Sequence, residues 1–127
     1  SPAGDLRDPA RLFAPLAREA PVLGALVLDA RGLVLAGALA DPAVGDAEAL
    51  AGLLGPAIGE ARRAAELLEL GSWDGMMLHC EGAFLHVSPV ADAVVVLAAR
   101  GGAPAGWVVR TARRARELTQ GFLEGNG

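Results

Sequence analysis

Three side chains able to ligate a metal or act as a nucleophile lie close together in this sequence: His79, Cys80 and His86. If Glu81-Gly82 is a two-residue hairpin loop, Cys80 pairs with Ala83 and His79 with Phe84. Side chains alternate along a strand, so His79, Phe84 and His86 share one face and Cys80 points to the other. The two histidines are then diagonal neighbours, roughly 7–8 Å apart. Two imidazoles with no carboxylate or thiol beside them make a poor zinc site. Cys80 on the opposite face lies outside the hydrogen-bond reach of His79 that an activated thiol needs. The reading is therefore two half-buried strand histidines and a small core cysteine, with no metal, cofactor or catalytic residue. Gly52, Gly55 and Gly59 fall inside a helical segment with no Lys-Ser/Thr after them, so they form no phosphate loop. Neither paired carboxylates nor a Gly-x-Ser-x-Gly elbow occurs.

The background to these residues is an apolar chain with few rings. Of 127 residues, 53% are hydrophobic, 20% charged and 4% aromatic, with a mean hydropathy of +0.39. That excludes a disordered chain and leaves Ala, Leu and Val to build the core. The single cysteine excludes an internal disulfide framework. Apolar runs fall well short of the roughly 20 residues a spanning helix needs. The first twenty residues carry Asp5, Arg7, Asp8, Arg11, Arg18 and Glu19, without an apolar signal-peptide stretch. All eleven basic residues are Arg, yet the net charge is −4, which disfavours nucleic acid as a partner. The expectation is one α/β domain over residues 1–127, cytoplasmic, with an ordered core over about residues 8–120 and a loose tail over 121–127.

The elements follow from local signals. Asp8-Pro9 reads as a helix start, and Pro15 shortens or kinks the helix over Pro9–Ala20. Val22–Asp29 is a near-continuous apolar run, a strand buried on both faces. Asp29-Ala30-Arg31-Gly32 is a turn, and Leu33–Ala38 the return strand. Leu39–Gly45 reads as a loop. Asp46 caps a long helix over Ala47–Leu70 that Gly71 closes, with a bend at Pro56 near Gly52–Gly55. Three strands follow, Trp73–Cys80, Ala83–Val90 and Ala93–Ala99, the last again apolar on both faces. A final helix runs from Pro104 or Ala105 to about Gln120, its inner face Val108, Ala112, Ala115 and Thr119. The order α-β-β-α-β-β-β-α with hairpin-short links gives a largely antiparallel sheet. Its doubly apolar strands require helices on both sides.

Two surfaces stand out. At 100° per residue the long helix places Leu50, Leu54, Ala57, Ile58, Ala61, Ala65 and Leu68 on one arc. Glu48, Gly52, Gly55, Gly59, Arg62, Arg63 and Glu66 fall on the other. Three glycines on an outer arc cost about 1 kcal/mol each against Ala. A partner backbone approaching closely would use them; compositional drift is the plain alternative. Trp73, Met76 and Met77 belong to a strand that, at a sheet edge, offers open N–H and C=O groups to a second chain. Packing under a helix is the alternative for them. Arg110, Arg113, Arg114 and Arg116 make the last helix basic, a docking strip or simply a solvated face.

The order and spacing of these elements resemble the Roadblock/dynein-light-chain domain family over about Leu12 to Leu118. The resemblance rests on the hairpin Val22–Gly37 with its Asp-x-x-Gly turn, on the strands over 73–90 and 93–99, and on the Gly102–Trp107 entry to the last helix. It implies a five-stranded antiparallel α+β sheet between helices, related to profilin-like and longin folds. It also implies a homodimer joined through the third strand, with crossover helices side by side as a platform for Ras-like small GTPases. Eukaryotic relatives are dynein-associated or lysosomal scaffold subunits. Carried onto this chain, Leu53, Ala64, Trp73, Met76, Met77 and Leu78 form the homodimer interface. Gly52, Gly55, Gly59, Arg62, Arg63 and Glu66 face the GTPase. The reading is a non-enzymatic regulator of a small GTPase. Its rivals are a ligand-sensing domain with an apolar pocket, a hydrolase using Cys80, and a passive scaffold subunit.

Overall fold

The computed structural model describes residues 8–40 and 46–125. Asp8 Oδ1 accepts a hydrogen bond from Ala10 N at 3.0 Å and opens a 3-10 turn, Pro9–Arg11. A four-residue helix follows, α1 (Ala14–Ala17), with Pro15 in its first turn. The expected single helix over Pro9–Ala20 is thus broken in two, because Pro15 supplies no N–H to join them. The strands are β1 (Val22–Leu28), β2 (Val34–Leu39), β3 (Met76–His79), β4 (Ala83–Val90) and β5 (Ala93–Arg100). The longer helices are α2 (Ala47–Leu67) and α3 (Ala105–Gly125).

All pairings are antiparallel, and the strand order is β2-β1-β5-β4-β3. The two strands apolar on both faces, β1 and β5, lie side by side and are buried nearly throughout. One face of the sheet packs Phe13, Leu16, Val95, Leu97, Val108, Ala112 and Ala115 under α1 and α3. The other packs Leu26, Leu28, Val87, Val94 and Val96 against Ala51, Leu54 and Ile58 of α2. Helices on both sides are what those strands demand.

The β1–β2 hairpin closes as its sequence suggests. Asp29 Oδ1 accepts from the N–H groups of Arg31 (2.8 Å) and Leu33 (2.9 Å), and Gly32 takes φ +87°. The Leu33 N–H, followed by that of Arg31 and its guanidinium, holds the Asp29 carboxyl below its ordinary range, against a partial desolvation effect.

Several boundaries differ from expectation, β1, β5 and the start of β2 by one residue. β2 extends to Leu39, and residues 41–45 of the expected loop lie outside the described residues. α2 ends at Leu67 rather than Leu70. Its stop is Glu69 at φ +54°, with Glu69 N on Glu66 O (3.1 Å) and Leu70 N on Ala65 O (2.9 Å). That is a Schellman closure two residues before Gly71. β3 begins at Met76, because Trp73 and Asp74 precede any pairing with β4. α3 continues past Gln120 to Gly125, so residues 121–125 of the expected tail are helical, with Phe122 and Leu123 packed on the core; residues 126–127 lie outside the described residues.

Candidate functional site

The chain leaves β2 at one edge of the sheet and must reach β3 at the other. Five strands about 4.8 Å apart put those edges about 19 Å from each other. α2, with 21 residues, is about 31 Å long at 1.5 Å per residue. It is longer than the sheet is wide, and its C-terminal part has little beneath it. Ala51, Leu54 and Ile58 are buried, whereas Leu67 and Leu68 are 73% and 67% exposed, followed by Leu70 at 72%. The helical arc placed Leu68 and Ala57 inward, but both are exposed. The period assigns a residue to a face of the helix; it does not say whether the sheet extends under it. Asp46 Oδ1 caps the start, accepting from Ala49 N at 2.7 Å. α2 runs unbroken through Pro56.

Among the described residues β3 has a neighbour on one side only, β4, in the register Met76↔Val87, Met77↔His86, Leu78↔Leu85 and His79↔Phe84. Its outer N–H and C=O groups are therefore open. The other edge, β2, has the Pro9–Arg11 turn packed against it. Met77 is 52% and Leu78 40% exposed. Met76 and Leu78 lie on the α2 side, Met77 and His79 on the α3 side, so apolar side chains flank the open edge above and below.

Other residues named from sequence separate into groups. Leu53 is 76% exposed, and Ala64, Arg62, Arg63 and Glu66 are exposed along α2. Gly52 and Gly59 face open space, where a Cβ would meet nothing. Gly55 is half-buried beside the β1–β2 turn, where a Cβ would make one ordinary contact, with the Gly32 Cα. Trp73 and Met76 are half-buried against the α2-side core. The Arg62 guanidinium lies 5.2 Å above the Trp73 ring centre. The Arg63 guanidinium lies 3.1 Å from Glu60. Sequence reasoning passed over Leu67, Glu69 and Leu70; the usable signal was that helix length exceeds sheet width.

His79 stacks on Phe84, ring centres 4.5 Å apart, and its Nε2 lies 3.2 Å from the Gly101 carbonyl, which accepts its hydrogen. His86 is half-buried with Nδ1 enclosed and unpartnered. Burial, and then the Arg116 charge, lower its pKa below the ordinary 6.5. Cys80 is exposed, not the core residue expected; it lies beyond β3, where no helix covers it. Among the described residues no group of three or more His, Cys, Asp or Glu is placed to hold a metal, and no helix is long and apolar enough to cross a membrane. An apolar recess lined by Phe13, Val22, Ala25 and Ala38 holds ≈ 200 Å³, and an open one between Asp29, Leu35, Ala91 and Leu123 holds ≈ 420 Å³, the second within the roughly 300–1,000 Å³ of small-molecule pockets.

The fold is a five-stranded antiparallel sheet between helices, its β3 edge bare among the described residues beside the crossover helix α2. The sequence pattern of the Roadblock/LC7 domain matches residues 10–99, and the chain belongs to that family. Among solved structures it is similar to the gliding protein MglB of Thermus thermophilus, 26% identical, covering 87% of this chain and 84% of that one, TM-score 0.74. It is similar to an MglB with tetrameric arrangement, 26% identical over 87% and 83%, TM-score 0.75. A Roadblock/LC7 domain from Streptomyces avermitilis shares the fold at 20% identity over 92% and 98%, TM-score 0.77. No curated protein matches the chain.

Proposed function

We propose that this chain is a non-enzymatic interaction module: two copies join through β3, and their α2 helices together hold and regulate a Ras-like small GTPase in the cytoplasm. The observation that carries the reading is the open outer edge of β3, flanked by exposed Met77 and Leu78. A bare strand of this kind pairs with another strand unless charge, proline or a covering element prevents it. β3 itself contains neither charge nor proline. Pairing of two β3 edges would continue the sheet, and the overhanging end of α2, with Leu67 and Leu68, would gain a neighbour. Ala64, Met76 and Trp73 would join that seam, and Leu53, exposed nearer the start of α2, would meet the partner's α2 where the two helices run side by side.

Family membership supports the partner class, since the resemblance implies a GTPase platform on the crossover helices. Likeness to a tetrameric MglB supports self-association. Of the outward residues, Gly52, Gly59, Arg62, Arg63 and Glu66 are exposed, whereas Gly55 is half-buried.

Capture of small GTPases from the same cell, loaded with GDP or a GTP analogue, tests the reading. Retention in at least one nucleotide state is the expected result; retention in neither rejects it.

A further inference from the structure

The four arginines of α3 have different surroundings. Arg114 is paired with Glu19 at 2.9 Å, and Arg110 is exposed. Arg113 and Arg116, three residues apart and so neighbours on one side of the helix, lie beside the end of β4. There they line an open groove of ≈ 400 Å³ with Pro89, Val90, Glu117 and Gln120. β3 is too short to border that end of β4. Pairing between the two strands stops at Met76↔Val87, so Ser88, Pro89 and Val90 have no β3 partner. Pro89 has no N–H with which to extend the ladder.

Neither Arg113 nor Arg116 has an ion pair among the described residues. Arg113 and Glu117 stand four apart in the weaker order, cation before anion. Arg116 is half-buried. Of its five N–H donors, one reaches a neutral acceptor, the buried Ser88 Oγ, at 3.4 Å. A cation withdrawn from water is costly without a counter-charge. Its field extends to His86, whose enclosed Nδ1 has no partner and whose protonation burial, and then Arg116, oppose.

We propose that this groove receives an acidic segment of a protein partner, with one carboxylate bridging Arg113 and Arg116 and an apolar neighbour resting on Pro89. Charge complementarity selects the occupant. Two guanidiniums and the Glu117 carboxylate leave the groove at +1. One carboxylate neutralises that, whereas a doubly charged phosphate group would reverse it. A guanidinium presents parallel N–H donors that match the two oxygens of a carboxylate, and the Gln120 amide adds donors beside them. The incoming anion gives Arg116 the counter-charge it lacks. The groove belongs to the α3 layer, across the sheet from α2. The site is therefore separate from the helix assigned to the GTPase, and neither claim rests on the other.

The test uses the full chain and a fluorescein-labelled peptide of alternating glutamate and alanine, followed by anisotropy, with the histidine ring signals followed by NMR. Binding is expected. The His86 signals should then titrate at higher pH, because the carboxylate cancels the field of Arg116. Those of His79, opposite Phe84 and about 14 Å along the sheet from Ser88, should stay where they are. Arg113→Gln, at an exposed position, should weaken binding by about tenfold. Arg18→Gln, the same charge change at the end of α1, should leave it unchanged. Glu117→Gln should tighten it by about threefold. No peptide binding, equal weakening by Arg113→Gln and Arg18→Gln, or an unmoved His86 overturns the proposal. Displacement of the peptide by inorganic phosphate at lower concentration than by acetate assigns the groove to phosphate and overturns it as well.

Discussion

His86 is the residue whose surroundings most clearly oppose charge. Its Nδ1 is enclosed without a partner, and burial followed by Arg116 lowers its pKa from 6.5. The unfolded chain takes up that proton more readily than the folded one. The contribution to stability is therefore full above pH 6.5 and declines as the pH falls from there toward the folded value. Urea midpoints at pH 7.5 and 5.5 should show the loss, and His86→Phe should reduce it. Glu69 has a different problem, φ +54° in a residue with a side chain. Glu69→Gly should raise unfolding stability by about 1 kcal/mol, read from the same urea curves. At this scale alternation along β3 and β4 could be read from sequence, and it placed His79 opposite Phe84. The exposure of Cys80 could not be read, because it depends on which element covers the end of a strand.

Among the elements, β1 and β5 declared themselves because burial on both faces is written in residue type: seven and seven buried positions, with only Arg100 emerging. β3 was harder. Trp73 has a strand-compatible side chain, yet pairing with Val87 starts only at Met76. α2 was legible as a helix but not in its reach, which depends on sheet width. Pro56 lies inside it and leaves the Gly52 carbonyl without its intrahelical donor. Pro56→Ala should therefore stabilise the domain, by up to about 3 kcal/mol, as a higher midpoint in thermal unfolding. Ile58→Ala removes a side chain that holds α2 to the sheet and should cost about 2–5 kcal/mol.

For the whole molecule, the consequential feature is the bare rim at β3. Association of folded copies makes the melting temperature rise with protein concentration. Met77→Asp puts a charge beside the rim on a side chain that is already half exposed, so the subunit should still fold. Light scattering at micromolar concentration should give a dimer mass or larger for the unaltered chain and a monomer mass for Met77→Asp; a monomer in both rejects pairing through β3. The sequence supplied the family pattern that implies such pairing, while exposure at Met77 and Leu78 became visible only in three dimensions. The lone thiol adds an opportunity. Cys80, exposed one residue past β3, is a ready-made attachment point for a nitroxide. For strands related by a two-fold axis between Met77 and Leu78, spacing of about 3.4 Å per residue sets the two labelled backbones roughly 15–20 Å apart. Dipolar broadening would then read the strand register with no engineered cysteine.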